Sequence, residues 1–201
     1  MITGVGGQGV VTLSNLVARA AFRQGLDVKI GETLGMAHRG GSVTSNIRIG
    51  KNVRSALILS GASNVILALE PSEALRVARY VGKDTQVLLN TRPTPPVSVL
   101  LGLEKYPTIA EIVESITSLG GSIHTLDFTG LAEQVGNVQT LSMVMLGALV
   151  ASQASSLSVE DLRKTVREVF PQRLVEMNLK AFDVGYTTLL SVLKEGSKPS
   201  L

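Results

Sequence analysis

At 201 residues the chain can bury a sizeable core, and with 44% hydrophobic and only 17% charged residues it is poor in surface charge, which points to apolar area covered by another subunit. The formal charge of +3 is small, and the basic residues form no stripe interleaved with aromatics, which argues against a nucleic-acid partner. Cysteine is absent, so the chain by itself holds no disulfide, Cys-ligated zinc, thiolate nucleophile or iron–sulfur cluster.

Aromatic residues make up 3% and tryptophan is missing, so the core must be aliphatic. His38 and His124 are the only imidazoles, and no metal site is expected. The longest nearly uncharged apolar run, TLSMVMLGALVA (140–151), is too short to span a bilayer and fits a buried helix. The expectation is a cytoplasmic chain without a membrane span or secretory signal.

In chain order, residues 2–5 read as a short buried strand and 10–24 as a helix. Leu13, Leu16, Val17, Ala20 and Ala21 fall at helical spacing, and Gly25 is placed to stop the helix in a left-handed turn. Residues 27–30 alternate as a second strand, giving a β-α-β unit. SVTSNIRI (42–49), followed by Gly50-Lys51-Asn52 and a resumption at Val53, predicts a hairpin and therefore a mixed sheet.

NVILAL (64–69) predicts a buried strand, and Glu70-Pro71-Ser72-Glu73 starts a helix to residue 81 with proline and acids in its first turn. Residues 86–89 form the next strand, and TRPTPP (91–96) a rigid surface connection. A helix over 109–119, a strand over 122–128 and a short helix over 131–135 follow. Asn137 is expected to cap a helix to 151, and Ser158 with Asp161 to open a helix to 170. Pro171 restarts a last helix to about 193. We expect a single α/β domain over 1–195 with a frayed tail over 196–201.

Two glycine-rich segments carry the candidate chemistry. GVGGQG (4–9), after a strand and before a helix, permits positive φ and close backbone approach, and the helix N-terminus favours an anion. Gly4, Gly6, Gly7 and Gly9 form the turn, and Gln8 is placed to bond a phosphate or a partner group. Glu32, near the end of the second strand, stands where a dinucleotide fold wants an acid. The bare alternative, a tight turn with no ligand, stands equally.

GETLGMAHRGGS (31–42) sets Arg39 beside Gly40, Gly41 and Ser42, where a guanidinium and bare amides can meet a phosphate or carboxylate, or an acid on a partner. His38 reads as a hydrogen-bonding loop residue. Asn137 points helix-start amides at whatever approaches, or only caps a core helix. No nucleophile motif and no P-loop lysine is present, so no catalytic residue is assigned.

The stretches GVGGQGVVTLSNLVARAA, GETLGMAHRGGSVTSNIRIG, LALEPSEALR, GNVQTLSMVMLGAL and NLKAFDVGY resemble the gamma-type subunit of the 2-oxoacid:ferredoxin oxidoreductases, and within that group the beta subunit of the indolepyruvate enzymes. The likeness runs from Gly4 to about Leu193, although the family's opening strand usually carries several more residues before the glycines. It implies a three-layer α/β/α fold with a mixed, Rossmann-like sheet.

It also implies a hetero-oligomer in which a larger subunit carries thiamine diphosphate and the iron–sulfur clusters. The complex would oxidise an aryl 2-oxo acid with coenzyme A and reduce ferredoxin. This chain, inactive alone, would then complete the active site or the coenzyme A region. A free-standing NAD(P)-binding oxidoreductase and a pure scaffold remain the alternative readings.

Overall fold

The computed structural model describes residues 1–36 and 40–196. The chain order is β1 (Ile2–Val5), α1 (Val10–Arg23), β2 (Asp27–Leu34), β3 (Ser42–Gly50), β4 (Val65–Ala68), α2 (Pro71–Arg76) and β5 (Gln86–Asn90). It continues through α3 (Val97–Leu100), α4 (Ile109–Thr117), β6 (Ser122–Leu126), α5 (Phe128–Val135), α6 (Leu141–Ala151), α7 (Val159–Val169) and α8 (Gln172–Gly196). The strands form one six-stranded sheet in the order β2-β3-β1-β4-β5-β6.

The sheet is mixed. β1, β4, β5 and β6 run parallel, while β3 is antiparallel to both β1 and β2. The inner parallel strands read as near-continuous aliphatic runs because both of their faces are covered. Leu67, Leu69 and Leu88 face a core shared with α1, α5, α6, α7 and α8. Ile66, Ala68, Val87 and Leu89 face the opposite core with α2 and α4. The result is the expected α/β/α layering around a mixed sheet.

α6 is apolar all round and buried throughout most of its length, as its sequence demands. It crosses α8 at backbone distance. A Cβ on Gly147 would lie 2.0 Å from the Phe182 carbonyl oxygen, and one on Gly185 would lie 1.9 Å from that of Val144. Glycine at both positions is what allows the crossing. Among the described residues no helix is long and apolar enough to cross a membrane.

Three expectations need correction. The hairpin does not turn at Gly50-Lys51-Asn52: β3 pairs instead with β2, from Asp27↔Gly50 to Leu34↔Val43, and residues 53–59 form no strand. The Arg48 guanidinium of β3 donates to the Ser55 and Leu57 carbonyls, so that segment is tied to β3 by a side chain rather than by a strand ladder. Second, the β-α-β unit exists in direction only, because β3 lies between β1 and β2.

Third, several element ends move. The helix expected over 71–81 stops at Arg76 and resumes as a 3-10 turn over Ala78–Tyr80. The strand expected to reach 128 ends at Leu126, because Asp127 caps α5 by accepting from the Gly130 amide at 2.7 Å. The short helix α3, directly after the connection over 91–96, has no counterpart among the expected elements. The last residues of the expected tail, 197–201, lie outside the described residues.

Candidate functional site

α1 leaves β1 on one face of the sheet and α2 leaves β4 on the other. The C-terminal ends of these adjacent parallel strands therefore open a crevice, the place where ligands enter open α/β sheets. The GVGGQG turn sits at its lip. Gly7 and Gly9 adopt φ of 104° and 84°, conformations that favour glycine. Gly9 occupies the cap position of α1 with no side-chain acceptor, and the first turn of α1 carries no acid, so neither caps its leading amides.

Gln8, expected to reach outward, turns into the crevice. Its Oε1 accepts from the Val5 amide at 2.9 Å and its Nε2 donates to the Leu69 carbonyl at 3.2 Å. The side chain thus bridges the ends of β1 and β4. Gly4 explains itself by the same geometry, since a Cβ there would meet Gln8 Oε1 at 2.7 Å and Leu69 Cβ at 3.0 Å. Gly9 leaves room for the start of α6, where Ser142 Oγ would lie 3.0 Å from an added Cβ.

The second glycine segment folds onto the first. The Gly6 amide donates to the Gly41 carbonyl at 2.8 Å, and the Gly40 amide donates to Gly6 O at 3.3 Å. Gly35 N donates to Ser42 O at 2.8 Å, closing the β2–β3 connection. Gly4, Gly6, Gly7, Gln8, Gly9, Gly40, Gly41 and Ser42 are therefore brought together. Arg39 and His38 lie outside the described residues.

The two remaining site candidates make other contacts. Glu32 sits within β2 rather than at its end, exposed, and accepts from the Ser14 hydroxyl of α1 at 3.1 Å. Asn137 accepts from the Gln139 amide at 2.9 Å and caps a 3-10 turn over Val138–Thr140, which then leads into α6.

The structure adds a pair of buried carboxyls that sequence reading did not assemble. Glu70, fully buried, accepts from the Glu73 amide and Thr94 amide, each at 3.1 Å, from Ser72 Oγ at 2.6 Å, and from the Tyr106 hydroxyl. Glu73, 4% exposed, accepts from Ser42 Oγ at 2.5 Å and from Arg76 Nε at 2.9 Å. Burial pushes the Glu73 carboxyl above the usual carboxylate range, and the nearby Glu70 adds to that, while Ser42 and Arg76 pull it back. Burial and the Glu70 carboxyl likewise raise the Tyr106 hydroxyl.

The sequence signal for this cluster is Glu70-Pro71-Ser72-Glu73, legible as a helix start. Its reach to Ser42 and Tyr106 is not legible. Glu70 also anchors the arm between β5 and α4, which exposes Val97, Leu100, Leu101 and Leu103. At the end of the sheet that carries the glycine segments, Val11, Leu34 and Met36 are exposed as well.

Chemically, the site offers backbone amides, the positive end of the α1 dipole and apolar walls. Ser42 and Glu73 form the hydroxyl–carboxyl contact that reaches the glycine segments, and Glu73 is already engaged by Arg76. The arrangement positions and encloses; among the described residues it assembles no nucleophile with an oriented base.

A family model described as pyruvate ferredoxin/flavodoxin oxidoreductase matches residues 1–188. The indolepyruvate oxidoreductase subunit IorB of Archaeoglobus fulgidus is 41% identical over 191 residues, covering 95% of this chain and 94% of that protein. Among solved structures, the gamma subunit of a keto/oxoacid ferredoxin oxidoreductase from Geobacter sulfurreducens superposes with a TM-score of 0.69 at 23% identity, over 94% of this chain and 96% of that one. The 2-oxoglutarate:ferredoxin oxidoreductase of Magnetococcus marinus, solved with 2-oxoglutarate, coenzyme A and succinyl-CoA, superposes with a TM-score of 0.70 at 20% identity, over 95% of this chain but 30% of that chain. The two structural likenesses establish the fold.

Proposed function

The chain belongs to the pyruvate ferredoxin/flavodoxin oxidoreductase family, and from that membership we propose that it is the small, non-redox subunit of an indolepyruvate-type 2-oxoacid:ferredoxin oxidoreductase. The observation that carries the reading is the 41% identity to an IorB subunit across nearly the full length of both chains. The complex oxidatively decarboxylates an aryl 2-oxo acid, forms its acyl-coenzyme A and passes electrons to ferredoxin. Thiamine diphosphate on the larger partner supplies the carbanion chemistry.

The residues of this chain suit a supporting role. It has no cysteine with which to ligate a cluster, so electron transfer falls to the partner. The first-turn amides of α1, beside the backbone surface made by Gly6, Gly40 and Gly41, suit the anionic part of coenzyme A. Arg39, next in sequence, adds a guanidinium for the same purpose. Val11, Leu34 and Met36 exclude water at the join.

A free-standing dinucleotide enzyme is disfavoured, because the Gln8 side chain spans the crevice that a pyrophosphate would enter. The test is co-expression with the larger subunit and an assay of indolepyruvate-dependent ferredoxin or viologen reduction. Both chains together should turn over. Full activity of the larger subunit alone would overturn the reading.

A further inference from the structure

We propose that Glu73 is a positioning residue for the paired glycine segments, holding Ser42 and through it the Gly40–Gly41 backbone against the Gly6 turn. The inference rests on the reading above only for its consequence in catalysis; the positioning itself stands on geometry.

Ser42 is a junction. Its carbonyl accepts from Gly35 and closes the β2–β3 connection, its register partner in β1 is Val5, and the carbonyl of the residue before it accepts from Gly6. Glycine backbones lose more freedom on ordering than any other residue and have no side chain with which to anchor themselves. Ser42 carries the first side chain after Gly40 and Gly41. Its hydroxyl goes to Glu73.

Glu73 has no comparable task within its own helix. Glu70, not Glu73, caps α2, and the arginine that bonds Glu73 has a side chain 63% exposed, a pair that α2 could form on its solvent face. Glu73 is instead kept 4% exposed, at the desolvation cost that a buried carboxyl carries. Among the described residues, the bond to Ser42 is the hydrogen bond that takes the Glu73 carboxyl outside its own helix. It joins α2, on one side of the crevice, to the segment that closes over the turn on the other side.

The experiment compares wild type, Ser42→Ala, Glu73→Gln and the conservative Ser42→Thr in the assembled two-subunit complex, by amide hydrogen exchange and by steady-state kinetics. In Ser42→Ala the Gly6 and Gly35 amides should exchange at least tenfold faster, with the β4 and β5 amides as in wild type, and Glu73→Gln, which keeps one acceptor oxygen, should shift them by less. The KM for coenzyme A should rise at least fivefold while kcat falls less than twofold. Ser42→Thr should restore both.

Unaltered exchange at Gly6 and Gly35 overturns the positioning role, whatever the kinetics do. A uniform rise across β4 and β5 also overturns it, because Glu73 would then only hold the fold together. Faster exchange at Gly6 and Gly35 with an unmoved KM for coenzyme A upholds the positioning role. That last result would refute the placement of these segments beside coenzyme A.

Discussion

The Gly6 amide donates to the Gly41 carbonyl at 2.8 Å, so two glycine-rich segments from different parts of the chain form one backbone surface. A phosphate-binding turn would leave the Gly6 amide free for its ligand. Here it is spent on the protein itself. The anion-binding capacity that remains is the uncapped first turn of α1.

The lone chain should therefore give no saturable binding in a titration with NAD(H) or NADP(H), followed by calorimetry or nucleotide fluorescence. Tight, saturable binding would require Gln8 to leave its bridge between Val5 and Leu69, and would restore the dinucleotide reading.

Gln8→Ala should destabilise the chain by about 1–3 kcal/mol, because the Val5 amide loses its acceptor in a partly buried site. For a chain of this size that is a fall in Tm of about 3–10 °C by thermal unfolding. The Leu69 carbonyl keeps Asn90 Nδ2 at 2.8 Å, so most of the cost falls on Val5.

Gly185→Ala should cost about 3 kcal/mol or more, since its Cβ would be driven into the Val144 carbonyl at the α6–α8 crossing. Calorimetry on the purified chain checks it. A Tm within a degree or two of wild type would mean that the two helices separate readily at this point.

Stability should also respond to the Glu73 carboxyl. Its folded-state pKa lies above the ordinary value of 4.5, so the folded chain binds the proton more tightly than the unfolded one. That contribution is fully present below about pH 4.5 and is lost as pH rises through the folded-state pKa. Urea unfolding between pH 4 and 7 should show wild type losing stability relative to Glu73→Gln over that interval. The groups facing the carboxyl are Ser42, Arg76 and Glu70, none of which the substitution removes. A pH-independent difference would contradict the assignment.

Arg39→Ala separates a working subunit from a scaffold. The two-subunit complex should assemble at the normal ratio on gel filtration, with a raised KM for coenzyme A. Normal kinetics in the assembled complex would favour the scaffold.

The aliphatic runs of β4 and β5, the all-apolar α6 and the helix stop at Gly25 are local, and they are legible because burial and turn preference leave a periodic mark on the residues themselves. Mixed strand directions were also within reach, since residues 42–50 alternate. Their partner was not. GETL in β2 carries a glycine and polar residues on an exposed edge, while residues 53–59 carry better strand formers, so local preference favoured the wrong mate.

The candidate site divides in the same way. The amino-acid order determined that glycine would sit at both segments, that α1 would start without a side-chain cap, and that no cysteine would be present to hold a cluster. Only the tertiary structure decided that Gly6 pairs with Gly41, that Gln8 fills the crevice, and that Glu73 reaches Ser42. The physical reason is that backbone hydrogen bonds carry no side-chain signature. A long-range side-chain contact, in turn, depends on register and crossing geometry, which the whole sheet sets at once.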